Sequence, residues 1–174
     1  MTWRAAGAGI VALLLTAGCA TPATEITWET VEAQIAVEFP GVPHVTTADL
    51  ADLLADPARR VVLIDVRDPG EFAVSHLRGA RHAASADRAA DIVAEAPDDA
   101  TVVAYCSVGY RSAALVASLH ERGSRTVHNL RGSIFRWANE DRPVYRGTTR
   151  VGRVHPFDAA WGALLRRELH AYSP

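Results

Sequence analysis

The chain contains no lysine: all 18 of its basic side chains are arginine. Lysine chemistry, Schiff-base or general-base, is therefore excluded. A formal charge of −2, with no long basic run, gives no field for holding nucleic acid. Cysteine is nearly absent, with two in 174 residues, Cys19 and Cys106. The six histidines other than His76 show no ligand spacing, so no metal site is expected, and nothing in the sequence calls for an organic cofactor. Internal repeats and low-complexity tracts are missing too. What remains is 49% hydrophobic content over 174 residues, enough for one ordinary core and hence one main domain.

Following Arg4, the uncharged and mostly apolar stretch Ala5 to Leu15 falls short of the roughly 20 residues that cross a bilayer core. It reads as a secretory h-region. Leu15-Thr16-Ala17-Gly18-Cys19 resembles a bacterial lipobox, which implies cleavage after Gly18 and a lipid on Cys19. A plain secretory peptide or an uncleaved signal anchor are the alternatives. All versions place the domain outside the cytoplasm, as a lipoprotein of the periplasm or outer surface where Cys19 carries lipid. Residues 1–18 are then a signal peptide and residues 19–27 a short tether. Cys106 would be left as a lone thiol in an oxidising compartment, a liability unless its chemistry is used.

Cys106 stands between two legible elements. Thr101-Val102-Val103-Ala104-Tyr105 has the length and β-branched content of a buried strand. Ser112 to Leu119 reads as a helix, with Gly123 as its stop. A cysteine ending a strand, before a short loop and a helix N-terminus, sits where backbone N–H groups converge. Such a cradle stabilises a thiolate and any later anion on sulfur. The competing reading is a small buried hydrophobe, the usual state of a free cysteine. Gly109 and Arg111 favour the first, because a positive-φ residue and a fixed cation suit a loop that meets a ligand.

Elsewhere, Trp28, Val31 and Ile35 recur at helical spacing. Thr46 or Thr47 can cap a helix through Leu50, Leu53 and Leu54, ending near Asp56-Pro57. Val61 to Ile64 is an apolar run of the kind found in doubly covered parallel strands. Asp87 to Ala96 reads as a helix and Thr126 to Leu130 as a strand. Strands alternating with helices predict an α/β fold with a parallel sheet. Over residues 145–174, Phe157, Trp161, Leu164, Leu165 and Leu169 predict an added C-terminal amphipathic helix. It is expected to dock on the domain, with membrane-surface contact as the alternative.

Three ordered motifs resemble one family. Tyr105-Cys106-Ser107-Val108-Gly109-Tyr110-Arg111-Ser112 is similar to the active-site loop of single-domain rhodanese-like sulfurtransferases. Leu63 to Phe72, continuing through His76-Leu77-Arg78-Gly79-Ala80, is similar to that family's upstream pattern. Val127 to Gly132, with Trp137 and Pro143-Val144, is similar to its closing strand. Ser75 and Ser133 depart from it, standing where the family often has glycine. The likeness spans roughly residues 44–144 within a domain of 28–144.

The resemblance implies a rhodanese-like sheet with helices on both faces, and Cys106 as the nucleophile that becomes a persulfide. It implies a substrate cradle of Ser107, Val108, Gly109, Tyr110, Arg111 and Ser112. The donor would be a small sulfur anion such as thiosulfate, the acceptor a thiol or sulfur carrier. Arg111 would hold that anion or else brace the loop. Asp65 and Arg67, at a strand's carboxyl edge, would support the loop or meet substrate; a local ion pair is the plainer alternative. His76 and Trp137 fit fixtures of the fold better than reacting groups. Four residues between Cys106 and Arg111, one fewer than in cysteine phosphatases and arsenate reductases, count against those activities. A non-catalytic binding module is the remaining alternative.

Overall fold

The computed structural model describes residues 26–174. The expected signal peptide and Cys19, the expected site of lipidation, lie outside the described residues. Five strands form one parallel sheet: β1 (His44–Val45), β2 (Val61–Asp65), β3 (Arg81–His82), β4 (Thr101–Tyr105) and β5 (Val127–Leu130). Their order is β1-β5-β4-β2-β3, so the strand before Cys106 is central. Val102, Val103, Ala104 and Tyr105 are fully buried, as are Ile64 and Leu130 on its neighbours. Uninterrupted apolar runs follow from that position, because both faces are covered.

Six α-helices flank the sheet: α1 (Trp28–Glu38), α2 (Thr47–Ala55), α3 (Pro69–Val74), α4 (Ala86–Glu95), α5 (Tyr110–Glu121) and α6 (Ser133–Asn139). α5 touches α1 and α4, while α2 touches α6. Thr27 caps α1, Thr46 caps α2 and Ser85 caps α4, each accepting an N–H of the first turn. Gly123, just beyond α5, has φ +76, the left-handed conformation that ends helices. The expected α/β architecture with a parallel sheet is present.

The C-terminal stretch differs from expectation. In place of an amphipathic helix it forms an antiparallel hairpin, β6 (Val144–Arg146) and β7 (Thr149–Val151), then two single 3₁₀ turns at Trp161–Leu164 and Arg167–Leu169. The cause is tertiary. Val154 N–H donates to Leu169 O at 2.7 Å and Ala171 N–H to Val154 O at 3.1 Å. This parallel-bridge pairing holds the end of the chain extended. The apolar side chains still dock, with Val154, Leu164 and Leu165 in the common core. Phe157 does not join them; it is 40% exposed.

Candidate active site

β4 ends at Tyr105, and Cys106 is the next residue. The loop turns at Gly109, whose φ of +112 lets it cap α5 in a conformation that other residues resist. That turn directs the Gly109 N–H at the Cys106 Sγ, 3.1 Å away. Cys106 is a free cysteine, 1% exposed, at the N-terminus of a 12-residue helix. The helix macrodipole adds to the N–H in favouring negative charge on sulfur.

α6 holds the loop from behind. Ile134 N–H donates to Cys106 O at 3.2 Å and Phe135 N–H to Ser107 O at 3.0 Å. In a planar trans peptide, the N–H points opposite to the C=O. Capture of these carbonyls therefore turns the Ser107 and Val108 N–H groups away from α6. Ser133 Oγ accepts the Cys106 N–H at 3.1 Å and donates to Leu130 O at 3.1 Å. Ser133 keeps the left-handed turn expected of glycine, at φ +49, and these two bonds offset the strain. Asn129, buried in β5, donates to Gly109 O at 3.0 Å and accepts from Ser112 Oγ at 2.6 Å.

In front of the loop, Glu71 of α3 is the hub. It is 3% exposed and accepts both Arg111 terminal nitrogens at 2.9 Å, the Ser107 hydroxyl at 2.9 Å and the Asp68 N–H at 3.0 Å. Burial alone would raise the Glu71 pKa; the Arg111 fork and the other donors outweigh it and hold it below the ordinary value. Burial would likewise lower the Arg111 pKa, but Glu71 and the Cys106 sulfur charge keep it above the usual guanidinium range. Arg111 therefore braces the loop, through a carboxylate. Its side chain is 33% exposed, and the Phe157 ring lies 4.9 Å from Cζ.

Asp65 and Arg67 form a fully buried ion pair at 2.7 Å. Arg67 also donates to Ser75 O at 2.5 Å, tying β2 to the turn after α3. Its guanidinium lies 5.9 Å from the ring of Tyr105, whose hydroxyl accepts the Leu77 N–H at 3.0 Å. Burial first, then the Asp65 charge, raises the Tyr105 pKa well above its usual value. The pair thus meets the residue before Cys106, one step removed from the sulfur. His76 Nε2 accepts the Gly147 N–H at 3.1 Å, which leaves Nδ1 to donate to Leu77 O at 2.9 Å. Trp137 is buried and donates to Pro143 O at 2.9 Å. Among the described residues no cluster of three or more metal-ligating side chains forms.

The sequence marked none of Glu71, Asn129 or Phe157 as a site residue; Phe157 entered only through the apolar spacing of residues 145–174. The Asp68-Pro69-Gly70-Glu71 spacing carried a capping-box signal that could have found Glu71. Nothing local announced the pairing with Arg111, 40 residues away.

The family model for the rhodanese-like domain matches residues 46–140. The chain is 37% identical over 100 residues to the "Probable adenylyltransferase/sulfurtransferase MoeZ" of Mycobacterium tuberculosis, covering 57% of this chain and 25% of that longer protein. It is 36% identical over 92 residues to the "Thiosulfate sulfurtransferase GlpE" of Pseudomonas aeruginosa, 53% of this chain and 79% of that one. A "Sulfurtransferase" of Allochromatium vinosum is 34% identical over 103 residues, 59% of this chain and 94% of that protein. Among solved structures, a thiosulfate sulfurtransferase from Pseudomonas aeruginosa superposes with a TM-score of 0.59 at 22% identity. That match covers 71% of this chain and 23% of the other, and it shows the fold alone.

Proposed function

This chain belongs to the rhodanese-like domain family, and from that premise we propose that it transfers sulfane sulfur through a persulfide on Cys106. The observation that carries the reading is the Cys106 sulfur at the α5 N-terminus, accepting the Gly109 N–H at 3.1 Å. Relatives that match most of their length carry sulfurtransferase names, in keeping with it.

The chemistry needs two displacements. The Cys106 thiolate attacks the outer sulfur of a donor, thiosulfate being the simplest; the old S–S bond breaks and sulfite leaves with the bonding pair. The persulfide then yields its outer sulfur to cyanide in an assay, or to a thiol or carrier protein, and the thiolate returns. The 1% exposure of Cys106 suits a step in which only the donor's terminal sulfur reaches it. Cys106→Ser should abolish thiosulfate:cyanide turnover, and thiosulfate should add the mass of one sulfur atom to Cys106 in the native protein. Undiminished turnover in the variant overturns the proposal, and a native protein that gains no sulfur supports a binding module.

The same proposal places the domain outside the cytoplasm, held to a membrane by lipid on Cys19. No helix among the described residues is long and apolar enough to cross a membrane. Cys19→Ala should abolish incorporation of labelled palmitate and move the protein from the membrane to the soluble fraction; a variant that still labels and still sediments with membrane refutes the anchor.

A further inference from the structure

The Cys106 site holds less free positive charge than its arginine suggests. Among the described residues, Arg111 is the one guanidinium hydrogen-bonded to a loop side chain, reaching Ser107 Oγ at 3.1 Å. Its fork is already occupied by Glu71. Asp68 Oδ2 stands 3.7 Å from the same guanidinium, and Phe157 covers it at 4.9 Å. One cation against two carboxylates leaves this cluster with a net charge of −1 before Cys106 ionises. The other loop side chains add no charge. Ser107 donates to Glu71, Val108 is buried, and Tyr110 stands edge-on to Phe39 with its hydroxyl donating to Glu38.

Phe157 reaches this cluster from the C-terminal segment, outside the matched family region of 46–140. It holds φ +68, a conformation an aromatic residue rarely adopts. Its N–H donates to His155 Nδ1 at 3.1 Å, and Asp158 Oδ1 accepts the Ala160 and Trp161 N–H groups at 2.9 and 2.8 Å. Strain retained beside a site cation is characteristic of functional positions.

We propose that Asp68 and Phe157 tune the Cys106 site toward a persulfide carried by an uncharged thiol group and against dianionic thiosulfate. This rests on the reading that Cys106 accepts sulfane sulfur. The Cys106 thiolate attacks the outer sulfur of R–S–S–H; the new S–S bond forms as the old one breaks. The thiolate RS⁻ leaves with the bonding pair and takes a proton from water, while the transferred sulfur keeps its own. No external oxidant or reductant enters. A dianion approaching the same sulfur meets net negative charge and an engaged guanidinium, whereas a persulfide on an uncharged carrier brings at most one negative charge, and none in the protonated R–S–S–H form that the displacement consumes.

The test loads the purified native protein with thiosulfate or with hydroxyethyl persulfide and follows sulfur addition at Cys106 by mass spectrometry. The persulfide should load at least about tenfold faster at equal concentration and low salt. Asp68→Asn removes one charge and keeps an equally good N-cap residue, so the thiosulfate-to-persulfide rate ratio should rise about fivefold. Phe157→Ala, which uncovers the guanidinium, should move the ratio in the same direction. Failure of both donors to load Cys106 overturns the sulfurtransfer reading itself. Loading by both, with a preference for thiosulfate that neither variant changes, overturns the charge selection alone.

Discussion

Glu71 shows how one carboxylate organises a reactive loop without touching the reactive atom. Its hydrogen bonds join α3 to Ser107 and Arg111, so the loop's front is fixed by an ion and its back by α6. The depressed Glu71 pKa sets the sign of a pH effect. The unfolded chain binds that proton more tightly than the fold does. The stabilisation is therefore complete above the ordinary Glu value of about 4.3 and drains away as pH falls through the lower folded value. Glu71→Gln should cost about 2 kcal/mol at neutral pH, since it weakens an ion pair whose arginine is partly solvated. Thermal unfolding across acid pH should show that gap closing below about pH 4. A gap that stays constant into acid refutes the ionic role. Cys106, Gly109 and Arg111 were legible because the loop's residue types stand in a row; Glu71 and Phe157 were not, because tertiary contact alone brings them to Arg111.

Elements were legible in proportion to their length and caps. α1, α2, α4 and α5 run 9 to 12 residues, long enough to repeat an apolar face. α3 and α6, at 6 and 7 residues, complete fewer than two turns and leave no periodicity to read. α6 also begins without a side-chain cap, behind the left-handed pair Gly132 and Ser133. A left-handed serine has no sequence signature, since its cost is met by Cys106 N–H and Leu130 O. The reverse error arose after Phe157, where apolar residues at helical spacing lie on a chain whose backbone pairs with Val154 instead. There side-chain periodicity was real, but the backbone partner decided the conformation.

At the scale of the molecule, the central strand position makes the sheet a rigid mount for the Cys106 loop, and the C-terminal stretch closes around it. Val154 is fully buried, Leu164 and Leu165 nearly so, and all three belong to the same core as β4. Asn139 of α6 donates to Leu164 O at 2.8 Å and accepts the Arg166 N–H at 2.9 Å. α6 in turn holds the Cys106 and Ser107 carbonyls, so the stretch supports the loop at one remove. Removing residues 147–174 would delete three buried aliphatic side chains and bare the core surface they cover, a loss of at least about 1.5 kcal/mol of burial each, or roughly 5 kcal/mol together. For a chain of this size that corresponds to a fall of roughly 10–20 °C in Tm. Differential scanning calorimetry of the shortened protein checks it: a Tm within a few degrees of the full chain would mean the stretch is an appendage. The expected result is a much less stable domain in which α6, deprived of the Asn139 contacts, no longer anchors the carbonyls that aim the Ser107 and Val108 amides.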